Sequence, residues 1–75
     1  MMKVTVKLYA TLTKGRFDRE VRKFPVGTLV KQVMSELKIT KDQAAIIFVN
    51  NRHAMPNQEL FDRDILSFFP PIGGG

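Results

Sequence analysis

The chain ends in the sequence Asp64-Ile65-Leu66-Ser67-Phe68-Phe69-Pro70-Pro71-Ile72-Gly73-Gly74-Gly75. Its aliphatic and aromatic part, residues 65–69, is typical of a β-strand. Pro70 and Pro71 end this strand, because proline has no N–H to donate to a neighbouring strand and keeps the preceding residue extended. The pattern predicts that residues 72–75 leave the sheet as a thin, straight arm that reaches roughly 13–14 Å.

The tip of this arm offers a single chemical group, the α-carboxylate of Gly75. Gly73 and Gly74 have no side chain, so this part of the backbone can enter a narrow channel in another molecule. A frayed terminus or a cloning remnant would also be rich in glycine, but such tails seldom follow directly on a strand and two prolines. We therefore expect Pro70, Pro71 and Ile72 to direct a flexible tail into a partner's active site.

Length and composition exclude several classes of protein. The chain has 75 residues, enough for one small domain that buries only about 60% of its unfolded surface. It contains no cysteine, which excludes disulfides, thiolate metal sites and a cysteine nucleophile. No apolar run approaches the ~20 residues of a membrane span, and the N-terminus lacks the layout of a signal peptide. These features predict a cytoplasmic protein without a membrane partner.

The chain is strongly basic, with a formal net charge of +5 and a pI of about 10.0. A basic domain can bind nucleic acid, an anionic membrane surface or an acidic protein. The cations are dispersed along the sequence rather than massed, which favours a solvated surface. An acidic partner protein is the second interpretation and nucleic acid the third, so we expect no nucleic-acid partner.

Hydrophobic periodicity predicts a hairpin and then a helix in the first half of the chain. Residues 3–10 alternate apolar and polar side chains, as in a half-buried strand. Residues 18–24 predict a second strand, in which the opposite parity of Val21 and Phe24 indicates a bulge or an edge position. Thr28 is a plausible N-cap for a helix near residues 28–38. The apolar positions at helical spacing are Val26, Leu29, Val30, Val33, Met34 and Leu37.

The second half of the chain contains shorter elements. The sequence predicts, in order, a capping box at Thr40–Gln43, a strand at 46–49, a tight turn at Asn50-Asn51, a short edge strand at 52–55, core contacts from Leu60 and Phe61, and the final strand. One helix with a single apolar stripe must cover one face of one sheet. We therefore predict an α+β domain over residues 1–71, with a mixed sheet of four or five strands whose last strand is parallel to the first.

This order of elements, closed by a glycine pair, resembles the β-grasp fold of ubiquitin-like proteins. More specifically, the chain resembles the MoaD/ThiS sulfur-carrier family, which includes the small subunit of molybdopterin synthase and the sulfur carrier of the thiamine pathway. The resemblance rests on Val49-Asn50, Leu60, Asp62, Asp64, Leu66, Phe68-Phe69-Pro70-Pro71-Ile72 and Gly74-Gly75. The Phe-Phe-Pro-Pro element favours the molybdopterin synthase subunit. Arg63 departs from the family, which usually has glycine between the two acidic residues.

The resemblance implies a carrier protein rather than an enzyme. An E1-like adenylating enzyme would activate Gly75 with ATP and Mg, and a persulfide donor would convert the acyl-adenylate into a thiocarboxylate. The acceptor would be a protein such as the large subunit of molybdopterin synthase. The chain itself would bind no cofactor and no metal. A thiamine-pathway or other sulfur carrier, a modifier joined to lysine, and a basic nucleic-acid-binding module are the alternatives.

Three further groups of residues are candidates for function. Phe69, Ile65 and Ile47 could form an exposed apolar patch beside the tail and so mark a partner site, although sheet curvature or loops could equally cover them. His53 has no neighbouring ligand residues and is more typical of a surface histidine. The acidic residues Glu59, Asp62 and Asp64 surround a turn, where carboxylates commonly cap backbone amides.

Overall fold

A computed structural model of the protein describes residues 1–71. This part of the chain forms a five-stranded mixed sheet with one α-helix, in agreement with the predicted α+β, β-grasp architecture. The elements are β1 (Met2–Leu8), a 3-10 turn (Ala10–Thr13), β2 (Arg19–Phe24), α1 (Val30–Leu37), β3 (Ile46–Val49), β4 (Arg52–His53) and β5 (Ile65–Phe69). Within the described residues, this helix is too short to cross a membrane.

The strands lie in the order β2-β1-β5-β3-β4, so the last strand occupies the centre of the sheet. β5 runs parallel to β1 on one side and antiparallel to β3 on the other. This arrangement confirms the predicted parallel pairing of the first and last strands. It also means that the backbone of β5 is hydrogen-bonded along both edges, which fixes the point at which Pro70 and Pro71 leave the sheet.

The core lies between one face of the sheet and helix α1. Alternate residues of β1 are buried, and Leu66 and Phe68 of β5 have no exposed surface. The helix contributes Val30, Val33 and Met34 to the same cluster. This one-sided packing follows from the period-2 pattern of the strands and the single apolar stripe of the helix. The opposite face of the sheet, called here the open face, has no helix of residues 1–71 packed on it.

At β2 the structure confirms one of the two predicted alternatives, and at the helix start it differs from the expectation. Residues of β2 pair with β1 in an unbroken register from Arg19 to Phe24, so β2 is an edge strand without a bulge. The N-cap of α1 is Leu29 rather than Thr28, whose hydroxyl donates to the carbonyl of Pro25. Val26 is 82% exposed and lies outside the apolar stripe, because the helix begins after it.

The connecting segments mostly follow the predicted turn chemistry. Asn50 and Asn51 both have positive φ, as a tight two-residue turn between β3 and β4 requires. Thr40 and Gln43 form the reciprocal bonds of a capping box. Leu60 is fully buried as predicted, whereas Phe61 is 61% exposed, so its assignment to the core is wrong. The turn places adjacent side chains on opposite sides, and only Leu60 points inward.

Arg63 occupies the turn immediately before β5 and has a left-handed backbone with φ +71°. The geometry that favours glycine is therefore retained despite the arginine. The N–H of Arg63 donates to the carbonyl of Lys3 at 2.6 Å, and this bond ties the turn to β1. The side chain is 91% exposed and lies 3.8 Å from the carboxylate of Asp62. The left-handed backbone of Arg63 is therefore strained, and its exposed ion pair with Asp62 contributes little stability against that strain.

We expect Arg63→Gly to stabilise the domain by about 0.5–1 kcal/mol, because glycine adopts positive φ without a Cβ clash. The melting temperature should rise by about 3–6 °C in a domain of this size. Arg63→Ala is the matched control, since it removes the exposed side chain and keeps the Cβ. A control as stable as the glycine variant would show that the backbone is not strained. Thermal unfolding followed by circular dichroism measures both variants.

Candidate functional site

The candidate site is centred on the end of β5, from which the C-terminal arm departs. The last cross-strand partners are Phe68 with Leu8 on β1 and Phe69 with Ile46 on β3. Pro70 follows as a half-buried residue and Pro71 as an exposed one. Because β5 is held on both edges, the two prolines leave from the middle of the sheet in a fixed direction. The predicted tail residues Ile72, Gly73, Gly74 and Gly75 lie outside the described residues.

An aromatic cluster covers the open face beside this departure point. It consists of Tyr9, Phe48, His53 and Phe69. The ring of Phe69 stacks on Tyr9 at 4.3 Å between centroids and meets Phe48 edge-on at 5.6 Å. His53 lies 4.6 Å from Phe48. These contacts order the rings around the base of the arm, although the rings come from three different strands and a turn.

A shallow apolar recess of about 470 Å³ lies against the aromatic cluster. The lining residues, almost all apolar or aromatic, are Tyr9, Ala10, Ile46, Phe48, His53, Phe69, Pro70 and Pro71. The recess therefore connects the cluster directly to the Pro-Pro segment. An apolar surface of this kind, placed where the chain leaves the domain, has the character of a contact surface for another protein.

Ile47 does not belong to this surface, and its assignment to an exposed patch is wrong. It is only 6% exposed, because it pairs with Phe68 and faces the helix. Its neighbour Ile46 pairs with Phe69 and takes the place predicted for Ile47. Ile65 is 42% exposed on the open face. Val49, two residues after Ile47 on the same strand, is also buried.

Sequence reasoning missed Tyr9, Phe48 and His53 as members of the site. Residues 46–49 are apolar at every position, so their sequence does not reveal which alternate pair faces the helix. The parity of Tyr9 was a usable signal, since it continues the alternate positions Lys3, Thr5 and Lys7, which are the less buried positions of β1. His53 was correctly placed on the surface, but its contact with Phe48 depends on the pairing of β3 with β4.

The acidic residues near β5 hold the turn in place. Asp64 accepts hydrogen bonds from the N–H of Phe61 at 2.8 Å and from the side chain of Asn50 at 2.9 Å. Asn50 in turn accepts one from the N–H of Ile65. Asp62 accepts one from the N–H of Lys3 at 2.7 Å. Both aspartates therefore stabilise backbone N–H groups, one at the turn and the other on β1, and fix the start of β5.

The described residues bring together no group of three or more histidine, aspartate or glutamate side chains that could hold a metal ion. The site described by residues 1–71 consists of a central strand held on both edges, an apolar recess and the point where Pro70 and Pro71 leave the sheet. Such an arrangement has the character of a docking surface for another protein.

Comparison with known proteins agrees with this geometry. Residues 6–75 match the ThiS family, and no curated protein matches the chain. A solved structure from Pyrococcus furiosus, provisionally named molybdopterin converting factor subunit 1, is 27% identical with a TM-score of 0.75, over 96% of this chain and 100% of that one.

Two more distant structures share the fold. Small archaeal modifier protein 1 of Haloferax volcanii is 16% identical with a TM-score of 0.78, covering 96% of this chain and 100% of that one. A complex of subunits 1 and 2 of the molybdopterin-converting factor from Helicobacter pylori matches at 21% identity and a TM-score of 0.66, over 99% and 100% of the chains.

The family match covers nearly the whole chain, and the five-stranded sheet with one helix shares its fold with the ubiquitin-like structure from Pyrococcus furiosus. The protein is accordingly a ubiquitin-like sulfur carrier rather than an enzyme in its own right. The chain belongs to the ThiS family.

Proposed function

We propose that the protein carries sulfur as a thiocarboxylate on Gly75 and donates it in molybdopterin biosynthesis. The observation that carries the proposal is the exit of the chain from the central strand β5 through Pro70 and Pro71, beside an apolar recess. A rigid exit of this kind fixes the place on the domain from which the proposed carrier arm would reach a partner. The 27% identical structure from Pyrococcus furiosus, named for a molybdopterin converting factor, supports the choice of pathway.

The chemistry requires activation, because a free carboxylate is an anion and a poor electrophile. In the proposed sequence a carboxylate oxygen of Gly75 attacks the α-phosphorus of ATP and releases pyrophosphate. A persulfide sulfur then attacks the acyl carbon, and AMP leaves. Cleavage of the resulting S–S bond by a thiol reductant leaves the thiocarboxylate on Gly75. The chain has no cysteine, so the persulfide belongs to another protein.

The proposal requires three partners. An E1-like adenylating enzyme holds ATP and Mg, a persulfide protein supplies the sulfur, and an acceptor receives it. The Helicobacter pylori complex of subunits 1 and 2 supports a large subunit of molybdopterin synthase as this acceptor. Because ATP is the activating substrate, we assign the reaction to the cytoplasm. We assign no cofactor, metal ion, nucleic acid or membrane to the chain itself.

Intact-mass spectrometry tests the proposal. The protein, with a free native C-terminus, is incubated with the E1-like enzyme from the same genome, Mg-ATP, a persulfide donor and a thiol reductant. The expected result is the replacement of one oxygen by sulfur, localised to Gly75 by fragmentation. A product in which Gly75 is instead joined to a lysine side chain would favour the modifier alternative. The activity of the enzyme is first verified with a carrier that it is known to activate. If this verified enzyme forms no adenylate on the protein, the proposal is contradicted.

We expect Phe69→Glu to leave the domain folded while it strongly weakens binding to the activating enzyme. Phe69 is half-buried and contacts Tyr9 and Phe48 on the open face, so its loss should cost about 1–2 kcal/mol of stability. Phe68→Glu is the control, because Phe68 is fully buried and its replacement should unfold the domain. Normal binding by a folded Phe69→Glu variant would exclude the aromatic cluster from the interface.

A further inference from the structure

The open face of the sheet is divided into an apolar half and a cationic half. The apolar half lies on β3, β4 and β5, and the aromatic cluster extends from it to Tyr9 at the end of β1. On β1 and β2, the alternation that buries Val4 and Val6 turns the intervening residues toward the open face. With the β1–β2 register, this places four cations there, Lys3, Lys7, Arg19 and Lys23, which together are called the cationic half.

The cations of this half stand directly opposite one another. Lys3 pairs with Lys23 and Lys7 pairs with Arg19 across the antiparallel strands. Side chains at such positions have Cβ atoms ~4.5–5.5 Å apart, and like charges there are destabilising. Within residues 1–71, none of these four side chains lies in an ion pair. The isolated domain therefore retains a repulsion that a partner could relieve.

On the side of β2 that faces the helix, by contrast, the cation is paired with carboxylates. Arg22 of β2 donates to Glu20 at 2.9 Å and to Glu36 of α1 at 3.0 Å. The chain thus supplies carboxylates for the arginine that faces the helix and supplies none on the strands of the open face. The contrast leaves the cationic half without a carboxylate partner from its own strands.

The nearest carboxylates lie at the ends of the cationic half. Asp62 lies beside Lys3, accepts a hydrogen bond from its N–H and also lies near Arg63. Asp18 lies beside Lys7 and Arg19 at the other end. The region thus contains two carboxylates and five cations, namely the four of the cationic half and Arg63. It therefore keeps an excess of positive charge. A complementary surface must be acidic.

We propose that the open face docks an acidic protein surface, whose carboxylates lie against the cationic half and whose apolar side chains fill the recess at the aromatic cluster. Charge and apolar contact are separated along the face, so only one orientation satisfies both. In that orientation the Pro-Pro exit lies at the apolar end of the interface. This proposal rests on the proposed function in one respect only, which is that the activating enzyme is chosen as the first binding partner to be tested.

The arrangement of the rings favours a protein over a nucleic acid. Phe69 and Tyr9 stack on each other, so each ring has one face already occupied. The aromatic cluster adjoins the cationic half only at Tyr9, which lines one recess with Lys7 and Arg19. Its other rings lie on β3, β4 and β5, whereas surfaces for single-stranded nucleic acid place stacking rings along the basic groove. The lining of the apolar recess contains no lysine, arginine, aspartate or glutamate.

The test uses the double variant Lys3→Glu/Lys7→Glu, in which each like-charge pair becomes an opposite-charge pair. The free variant should melt about 2–5 °C above the unmodified protein, because repulsion is replaced by attraction. Binding to the E1-like enzyme of the same genome should weaken at least about tenfold at about 50 mM salt, and the difference should shrink at about 500 mM salt. Calorimetry measures both affinities.

The matched control is Lys31→Glu/Lys41→Glu, which makes the same change of charge on the helix side of the domain. This control should bind the enzyme as the unmodified protein does. Equal weakening in the control, unchanged binding by Lys3→Glu/Lys7→Glu, or a lower melting temperature for that variant would each overturn the proposal. Tighter binding to a short oligothymidylate than to the enzyme would overturn the assignment of a protein partner.

A second probe makes the result independent of the activating enzyme. Titration of the isotope-labelled protein with a hexaglutamate peptide should shift the amide signals of Lys3, Lys7, Arg19 and Lys23 before those around Lys31 and Lys41. Uniform or absent shifts would overturn the proposal. The two hypotheses fail separately, because sulfur transfer to Gly75 at saturating enzyme tests the carrier function, while the salt-dependent affinity tests the docking surface.

Discussion

Val33→Asp should leave the chain unfolded at room temperature. Val33 has no exposed surface and lies in the centre of the stripe that α1 presents to the sheet. The substitution places a carboxylate among apolar side chains with no partner, and the charged form costs several kcal/mol in such surroundings. A domain of this size has a total stability of only about 5–10 kcal/mol, so one buried charge removes most of it.

The control for this variant is Ser35→Asp, on the exposed side of the same helix. It introduces the same residue with the same helix propensity and should change stability by less than about 1 kcal/mol. Far-UV circular dichroism and a thermal melt distinguish the two. A Val33→Asp variant that melts like the unmodified protein would show that α1 does not pack on the sheet as described.

Deletion of Gly74 and Gly75 should abolish sulfur transfer completely while leaving the melting temperature unchanged. The deletion moves the carboxylate back to Gly73, about 7 Å short of its position in the full chain, because each residue spans ~3.3–3.6 Å. An adenylating centre reached by an arm of fixed length cannot act on the shortened chain. Intact mass after incubation with the enzyme and Mg-ATP measures the loss.

Gly74→Phe provides the companion variant, in which the arm keeps its length but gains a bulky side chain. We expect activation to fail here as well, because a channel that fits bare backbone excludes an aromatic ring. Gly73→Ala is the mild control and should retain part of the activity. Normal sulfur transfer by the truncated chain would contradict the assignment of Gly75. A C-terminal tag masks the carboxylate, so all variants need a free terminus.

Much of the fold was predictable because local pattern and tertiary packing agree. The alternation of residues 3–10 and the helical spacing of Val30, Val33 and Met34 each define one apolar face, and two such faces pack in few ways. Leu60 and the positive-φ pair Asn50-Asn51 also follow from local chemistry. The exact helix start did not, since Thr28 bonds to Pro25 instead of capping α1.

The candidate site was predictable in part. The Pro-Pro segment and the glycine tip are visible in the sequence, and the roles proposed for residues 72–75 stay predictions. The aromatic cluster was not predictable, because it joins Tyr9, Phe48, His53 and Phe69 across three strands and a turn. Ile47 was misplaced for the same reason, since its side chain direction depends on pairing with Phe68.

The sequence alone determined the element order, the helix face and the absence of any cysteine chemistry, because these depend on periodicity and composition. Tertiary structure alone decided three things: β5 as the central strand, the parity of Ile46-Ile47-Phe48-Val49, and the like-charge pairs of β1 and β2. Each depends on strand register, and a one-residue change of register would send every side chain of a strand to the opposite face. Register is fixed by contacts between residues distant in the chain.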